Sequence, residues 1–217
     1  MNHNKSRKLI YVFCEGEGSE PAYIRFLSKE FKKSATIKPP IHGLFDIAKR
    51  KFKNEAKFKN SIDVIDEIWF FFDVDANTAT DGSERTWDKY SKIMNWLSNK
   101  KKTPKIKIRL LMTTGCIEYW FLLHYKKIKP PITSPADKDK VMKMLQREEP
   151  RYTKTDENVI GYIAKKRFHT AIANGKWTLD SLCGLPDSAN LDRDHWLYTC
   201  GQTFTTVHEA VEYLLSL

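Results

Sequence analysis

Continuous apolar runs alternate with amphipathic stretches over the first part of the chain. The runs KLIYVFC (8–14), EIWFFFD (67–73) and IKIRLLMTT (106–114) predict strands, and the second is apolar enough to be buried on both faces. Apolar residues at helical spacing predict helices in four places, from Ser19 onward and over 45–58, 84–100 and 116–125. Strands alternating with helices are typical of an α/β fold with a mainly parallel sheet flanked by helices.

Residues 126–217 differ in texture from the first part. The segment KKIKPPITSPADKD (126–139) is rich in proline and predicts a loop. Helical spacing returns in three stretches, over 138–149, 158–174 and 206–217. The last stretch opens with Thr206 and Glu209 at the separation of a capping box. We therefore expect an α/β core over 1–125 and a helical C-terminal addition over 126–217 that packs on it, within one domain overall.

The composition is that of a globular protein. With 217 residues, 41% of them hydrophobic, the chain can bury one good core. No apolar run approaches the roughly 18 residues of a membrane span, and the first apolar run is too short for a signal peptide. The four cysteines lie far apart without a CxxC pair, which predicts reduced, mostly buried thiols and argues against zinc. We therefore expect a cytoplasmic protein without membrane contact.

Positive charge dominates, with a formal net charge of +10 that is concentrated in particular stretches. The densest are KEFKKSATIK (29–38), AKRKFKNEAKFKN (48–60) and SNKKKTPKIKIR (98–109). Such clusters attract polyanions, of which nucleic acid is the commonest. Any one of them could equally be a solvated helix face, but three together favour phosphate binding.

Carboxylates gather where two of the predicted strands end. Glu15 follows the first strand, and the second ends in Asp73 and Asp75, which project to the same side because strand side chains alternate. Ligands bind at the carboxyl edge of a parallel sheet, so neighbouring strands would bring these three carboxylates together there. Such carboxylates repel one another unless a cation lies between them, and oxygen ligands favour Mg²⁺ or Mn²⁺.

Each acidic segment also has a simpler interpretation. EGEGSE (15–20) could be a solvated turn in which Glu20 is a helix-start carboxylate. DVDAN (73–77) could be an acidic turn in which Asp75 accepts hydrogen bonds from nearby backbone. Their joint occurrence in a basic chain favours a metal site for phosphodiester chemistry. In that case we expect the lysine-rich stretches to flank the acidic edge and to hold the nucleic-acid backbone.

Six separated segments occur in an order that resembles the RloB-like family, from about residue 8 to the end of the chain. They are YVFCEGEGSEPAYIRFL, EIWFFFDVDAN, TTGCIEYWFLLHY, RYTKTD, AIANGK and FTTVHEAVEYLL. The resemblance implies a relative of the Toprim fold and a metal-dependent nuclease, linked with bacterial restriction and abortive infection and used against phage. It also implies a separate ATPase partner of the ABC or structural-maintenance (SMC) type.

Residue by residue, the resemblance implies a site built from acids. Glu15 corresponds to the Toprim glutamate, which binds the metal or acts as general base. Glu20 corresponds to the second acid of the same stretch and assists it. Asp73 and Asp75 correspond to the DxD pair, and the resemblance implies that both are catalytic metal ligands.

The later segments add further candidates. Glu118 in TTGCIEYW keeps the family's acid and is either an outer metal ligand or a helix-start charge. This segment departs from the family pattern at Thr114, Gly115 and Ile117. Lys154 in RYTK matches the family's Tyr-x-Lys and is either a catalytic partner of the cleaved phosphate or plain surface charge. His124 is interpreted as a core histidine rather than a catalytic one.

We therefore expect a Mg²⁺- or Mn²⁺-dependent endonuclease that hydrolyses DNA or RNA in anti-phage defence, together with an ATPase subunit. One alternative is a non-catalytic adaptor or sensor that binds nucleic acid and regulates the ATPase, in which case the acidic site would bind no metal. Another is a nucleic-acid-binding module held by the basic clusters alone, which would bind equally well in chelator. The sequence leaves a homo-oligomer open.

Overall fold

The computed structural model describes residues 7–75, 82–187 and 190–217. Its five strands form one parallel sheet, with β2 (Ala35–Ile37), β1 (Lys8–Cys14), β4 (Glu67–Val74) and β5 (Lys107–Thr114) side by side in that order. β3 (Ile41–His42) pairs in parallel with the last residues of β1. The predicted α/β fold with a mainly parallel sheet is confirmed, and it is consistent with the Toprim-like architecture that the resemblance implies.

Ten helices surround the sheet within the described residues. Those before β5 are α1 (Ser19–Glu30), α2 (Phe45–Asn54), α3 (Ala56–Lys59) and α4 (Gly82–Ser98), with a 3-10 turn at Ile62–Val64. Those after it are α5 (Glu118–Leu122), α6 (Pro135–Glu148), α7 (Glu157–Lys165), α8 (Phe168–Asp180), α9 (Leu191–Thr199) and α10 (Val207–Ser216). None of the described helices has the length and apolar character needed to cross a bilayer.

The central strand β4 explains how the sheet is covered on both sides. Trp69 and Phe71 face one hydrophobic cluster, to which α1, α5, α7, α8 and α10 contribute. Phe70 and Phe72 face a second cluster, to which α2, α3, α4 and α9 contribute. Because side chains alternate along a strand, a strand covered on both faces needs apolar residues at successive positions. The predicted burial of β4 on both faces is therefore confirmed.

Helix boundaries differ from the sequence prediction in three places. The helix predicted over 45–58 is interrupted at Glu55, whose backbone is extended with φ −93° and ψ 124°, so α2 and α3 are separate. The helix predicted over 158–174 is divided into α7 and α8, and the one predicted over 116–125 is reduced to Glu118–Leu122. Apolar spacing continues across these breaks and therefore does not reveal them.

The N-terminus of α10 is attached to the edge strand β5 and not closed by a capping box. Thr206 is the N-cap residue, but its side chain makes no capping hydrogen bond. Its hydroxyl group instead donates to the Leu110 carbonyl at 2.9 Å and accepts from the Met112 N–H at 2.8 Å. The predicted capping box is therefore wrong, because β5 offers the threonine backbone partners of its own.

Residues on both sides of position 125 contribute to the first hydrophobic cluster. Val207 and Val211 of α10 belong to it together with Ile10 and Trp69 of the sheet. The division of the chain at residue 125 stays a prediction. The four cysteines are free thiols, of which Cys14 is buried, Cys116 and Cys200 are half-buried and Cys183 is exposed. The expectation of mostly buried thiols is therefore met in full only at Cys14.

Candidate acidic site

Glu15 lies at the carboxyl ends of two neighbouring strands. β1 and β4 pair in parallel up to Cys14 and Phe71, which confirms the adjacency on which the predicted site depends. The Glu15 N–H extends this pairing by donating to the Phe71 carbonyl at 3.1 Å. The Glu15 carboxylate turns towards β4 and accepts a long hydrogen bond from the Asp73 N–H at 3.4 Å. Its side chain is thereby held at the edge of the sheet.

Glu20 is buried at the start of α1, with 5% of its surface exposed. The loop before it folds back, so that the Gly16 N–H donates to the Glu20 carboxylate at 2.6 Å. Burial, together with the charges of Glu15 and Glu118, raises the pKa of Glu20 to about 7 against the lowering effect of this hydrogen bond. Glu20 is therefore both a first-turn acid and a member of a carboxylate cluster.

Asp73 points into the same cluster from the end of β4. Burial and the charges of Glu20, Glu15 and Glu118 together raise the pKa of Asp73 to about 8. The positive charge of Lys138 acts in the opposite direction and lowers this pKa. The Oδ1 atom of Asp73 is buried without a hydrogen-bond partner among the described residues. Such a carboxylate oxygen is a free acceptor for a proton or a cation.

Asp75 lies apart from the other acids. Its side chain is 62% exposed and forms an ion pair with Lys138 of α6, with 2.7 Å between Nζ and Oδ1. The charge of Asp73 also acts on Lys138 and raises its pKa together with Asp75, against the effect of burial. The ammonium group of Lys138 therefore neutralises Asp75 and partly offsets the charge of Asp73. The remaining residues of DVDAN, Ala76 and Asn77, lie outside the described residues.

Glu118 completes the cluster from the start of α5. It is 2% exposed, and its Oε1 atom accepts hydrogen bonds from the Ser19 hydroxyl at 2.6 Å and the Tyr152 hydroxyl at 2.9 Å. The preceding loop depends on Gly115, whose φ of 79° lies in the left-handed region that favours glycine. Glu118 therefore begins a helix, as one of the two interpretations predicted, and it also faces the other acids. Its role as an outer metal ligand stays a prediction.

Lys154 lies beside the acidic loop. A Cβ atom placed on Gly18 would be 3.3 Å from the Lys154 Cβ, so the two backbones are in contact. The Lys154 side chain is exposed, and its ammonium group has no ion pair among the described residues. His124 is 1% exposed, and burial lowers its pKa to about 4. This agrees with the interpretation of His124 as a neutral core residue.

Three residues at the site were not identified from the sequence. Ser19 and Tyr152 hold Glu118, and Tyr152 stands two positions before Lys154 in RYTK, so this segment contained a signal for it. Lys138 is one lysine among many in a proline-rich loop and helix, and nothing in its local sequence distinguishes it. Its place beside Asp75 follows only from the way α6 packs against α5 and the sheet.

Carboxylate oxygens fit a hard divalent cation, and the unpartnered Asp73 Oδ1 is available to one. As the side chains stand, however, no three His, Cys, Asp or Glu residues in the described part of the chain are grouped so that they could hold a metal ion. Asp75 is engaged by Lys138, and Glu20 accepts a hydrogen bond from the Gly16 N–H. The donor atoms are therefore of the kind that Mg²⁺ or Mn²⁺ prefers, but in their present positions the described residues do not form a metal site.

Two of the three lysine-rich stretches lie away from the acids. Lys107 begins β5 beside Glu67, the first residue of β4, so stretch 98–109 lies at the amino edge of the sheet. Stretch 29–38 leads to Ala35, which lies beside Lys8 at the start of β1. The expectation that these stretches flank the acidic edge is wrong for both. Two cations that do lie beside the acidic residues or their loop, Lys138 and Lys154, come from the C-terminal region.

The comparisons with known proteins give one finding. A search of curated proteins and a search of solved structures each returned no match. A family model described as RloB-like protein matches residues 10–214, which include all five strands except the first two residues of β1, and the acids described above. The chain belongs to the RloB-like protein family.

Proposed function

We propose that this chain is a Mg²⁺- or Mn²⁺-dependent nuclease that hydrolyses phosphodiester bonds. The observation that carries the proposal is the convergence of Glu15, Glu20, Asp73 and Glu118 at one sheet edge, where the pKa values of Glu20 and Asp73 are raised to about 7 and about 8. Groups whose pKa values are strongly shifted by burial and by a specific set of charges concentrate at functional sites. A stable fold gains nothing from placing buried Glu20 and Glu118 and half-buried Asp73 where they repel one another and the exposed Glu15.

The side chains divide the chemistry between them. Asp73, Asp75 and Glu15 are the candidate metal ligands, and a bound divalent ion would polarise the phosphate and lower the pKa of its water. Glu20, whose pKa of about 7 matches neutral pH, is suited to accept the proton of the attacking water. That water forms a new bond to phosphorus while the bond to the leaving oxygen breaks. Lys154, exposed beside the loop, is suited to contact the phosphate.

Ser19 and Tyr152 are suited to position the acids. Their hydroxyl groups both bind Glu118 Oε1, and they contact each other at 3.0 Å. Glu118 therefore stays in place as a fixed negative charge behind Asp73 and Glu20. This charge favours protons and cations at the site, because it raises the pKa values of both neighbours.

A defence role with an ATPase partner of the ABC or SMC type is the second part of the proposal. It is supported by the family membership and by the activities that the resemblance implies. We propose that the partner controls when the nuclease acts. The isolated chain is then expected to cleave slowly, and co-expression with an adjacent ATPase gene during phage challenge is expected to arrest growth. Full toxicity of this chain alone would remove the control by a partner and leave the nuclease proposal intact.

One observation favours a non-catalytic adaptor as the second candidate. Lys138 already neutralises Asp75, and no group of acids in the described ranges is arranged as a metal site. In an adaptor the Lys138–Asp75 pair would be permanent and Mn²⁺ would not bind. The two candidates therefore differ in metal binding, which can be measured without knowing the substrate.

The deciding experiment combines melting and cleavage. Wild type, Asp73→Asn and the control Asp63→Asn, an exposed acid at the amino edge, are melted with Mn²⁺ and with chelator. A nuclease should gain about 2.7 kcal/mol of stability at a hundredfold excess of Mn²⁺ over Kd, and Asp73→Asn should lose most of that gain and all cleavage of single-stranded or duplex substrates. Equal metal shifts in all three proteins, or cleavage that persists in Asp73→Asn, would contradict the proposal.

A further inference from the structure

An exposed aromatic ring lies among cations on the outer face of α7. Tyr162 is 42% exposed. A few large hydrophobic side chains are exposed in the described ranges, and Tyr162 is the aromatic one among them. The Arg151 guanidinium carbon lies 4.8 Å from the centroid of its ring, and the Lys166 ammonium group lies 5.4 Å from it. Cations at such distances are attracted to the ring and hold it in place without burying it.

A cleft of about 310 Å³ opens beside Tyr162, between α1 and α7. Phe26 and Gly161 supply the apolar part of its lining, Lys29, Lys165 and Lys166 the cationic part, and Glu30 and Glu157 the acidic part. The cleft needs glycine at 161, because a Cβ atom there would be 2.8 Å from Phe26 Cδ2. Its volume is at the lower end of the roughly 300–1,000 Å³ range of ligand clefts. Its lining suits a flat ring that carries a negative charge nearby.

The charges around the cleft leave an excess of cations. Lys165 pairs with Glu30, Arg25 and Lys29 share Glu157, and Arg151 pairs with Glu149. Lys166 has no ion pair in the described part of the chain. Five cations (Arg25, Lys29, Arg151, Lys165 and Lys166) thus face three carboxylates, which leaves a net charge of +2.

The chain segment that carries this surface also contacts the acidic site. Arg151, which contacts Tyr162, is followed by Tyr152, which donates a hydrogen bond to Glu118. Two residues further on, Lys154 lies against Gly18 of the acidic loop. Asp156 then fixes the start of α7 by accepting hydrogen bonds from the Asn158 and Val159 N–H groups at 2.9 and 3.2 Å. One short segment therefore connects the aromatic ring to the candidate catalytic acids.

We propose that Tyr162 and the adjoining cleft bind an unpaired base of a nucleic-acid strand, with Arg151 and Lys166 contacting its phosphates. Aromatic rings bind single strands by stacking on bases, and neighbouring cations follow the backbone. In a duplex both faces of a base are already stacked, so the ring selects single strands or splayed ends. The proposal rests on the proposed nuclease function in one respect only: if the chain is a nuclease, the bound strand is its substrate.

The test measures binding alone, in chelator and in the Asp73→Asn background, so that cleavage cannot affect it. Fluorescent oligothymidylate, oligouridylate and a DNA duplex of equal length are titrated with four proteins. These are the parent protein, which keeps Tyr162, and its variants Tyr162→Trp, Tyr162→Phe and Tyr162→Ala. Tyr162→Ala should bind the single strands about fivefold to a hundredfold more weakly, while Trp and Phe should preserve binding. Duplex binding should be the same for all four proteins. The matched variant Lys166→Ala should bind all three probes more weakly, and it should lower the slope of log K against log salt by about 1.

The order of the single-strand affinities among the four proteins decides the outcome. If Tyr162 acted only through charge or folding, these affinities would not depend on whether residue 162 has an aromatic ring. Single-strand binding that is equal in Tyr162→Ala and wild type overturns the proposal, and so does equal loss of single-strand and duplex binding. If Tyr162→Ala instead loses an ATPase partner while its nucleic-acid binding is unchanged, the surface binds protein and the proposal is also wrong. A nuclease that fails the metal test above can still pass this one, so the two failures are distinguishable. The two single-stranded probes report separately whether DNA or RNA is bound.

Discussion

The Asp73 carboxyl group is the least favourably placed acid in the described part of the chain for being ionised. Its pKa is raised from 3.8 to about 8 by burial and by the charges of Glu20, Glu15 and Glu118. A carboxyl group with a raised pKa binds a proton more tightly in the folded than in the unfolded state. The free energy of unfolding therefore falls as the pH rises from about 4 to about 8. The fold tolerates this loss of stability at Asp73, a residue that the proposed hydrolysis would use.

Asp73→Asn should remove this pH dependence. In chelator the variant should become progressively more stable than wild type as the pH rises from about 4 to about 8. The difference should reach a few kcal/mol, since each pKa unit is worth roughly 1.4 kcal/mol. Urea denaturation of wild type, Asp73→Asn and Asp63→Asn at several pH values measures it. A difference between wild type and Asp73→Asn that does not change with pH would show that Asp73 is not buried among charges.

Lys138 provides a second prediction for a single residue. Because its ammonium group pairs with Asp75 and opposes the charge of Asp73, it competes with a metal ion for the same oxygens. Lys138→Met should therefore bind Mn²⁺ more tightly than wild type, by roughly tenfold if about 1.4 kcal/mol of repulsion is removed. Calorimetric titration measures this change. Lys140→Met is the matched control, because Lys140 lies on the same helix and pairs with Asp137. Equal affinities in the two variants would mean that Lys138 lies outside the metal site.

Among the elements, the segment before α10 closes an exposed edge of the sheet. Thr114 N–H donates to the Phe204 carbonyl at 3.0 Å and Thr206 N–H donates to the Met112 carbonyl at 2.9 Å, around an antiparallel bridge between Thr113 and Thr205. An edge strand otherwise presents unpaired N–H and C=O groups that invite aggregation. The C-terminal region therefore stabilises the strand that leads to Glu118.

Thr206→Val tests this attachment. Valine keeps the shape of the side chain but leaves the Met112 N–H without the hydroxyl that now accepts from it at 2.8 Å. A buried donor without a partner costs about 1–3 kcal/mol, so the free energy of unfolding should fall by that amount. Thr155→Val, at an exposed turn position, should change it by less than about 0.5 kcal/mol. Equal stability of both variants would show that α10 is held by its apolar contacts alone.

The sequence predicted long elements well and short ones poorly. β1, β4 and β5 have seven or eight residues each, which is long enough for an apolar run to be recognised. β2 and β3 have three and two residues and lie on either side of two prolines, so no period could develop. α9 was missed although Asn190 caps it by accepting from the Asp192 and Arg193 N–H groups. Its apolar positions are sparse, and the cap was the available signal.

For the molecule as a whole, the sequence predicted that acids at the ends of β1 and β4 meet, but not that Asp75 pairs with a lysine or which cations accompany the acids. Glu15, Glu20 and Asp73 lie close in sequence to the ends of β1 and β4, so sheet topology alone brings them together. Lys138 and Lys154 reach the site through tertiary packing of the C-terminal region, which no local pattern encodes. Charge composition indicated an affinity for polyanions, yet it gave no information on which edge of the sheet the charges occupy.

The placement of charge leads to a prediction about the whole surface. If nucleic acid is bound productively at the acidic edge, the double variant Lys138→Gln/Lys154→Gln should no longer cleave it. The slope of log K against log salt should also fall by about 0.7 to 0.9 for each lost phosphate contact. The control Lys102→Gln/Lys105→Gln removes the same charge from exposed positions beside the amino edge, and it should keep cleavage. Salt titrations of binding and single-turnover cleavage measure both effects. Equal losses in the two double variants would mean that the net charge of +10 acts as a diffuse field and that the acidic edge has no binding surface of its own.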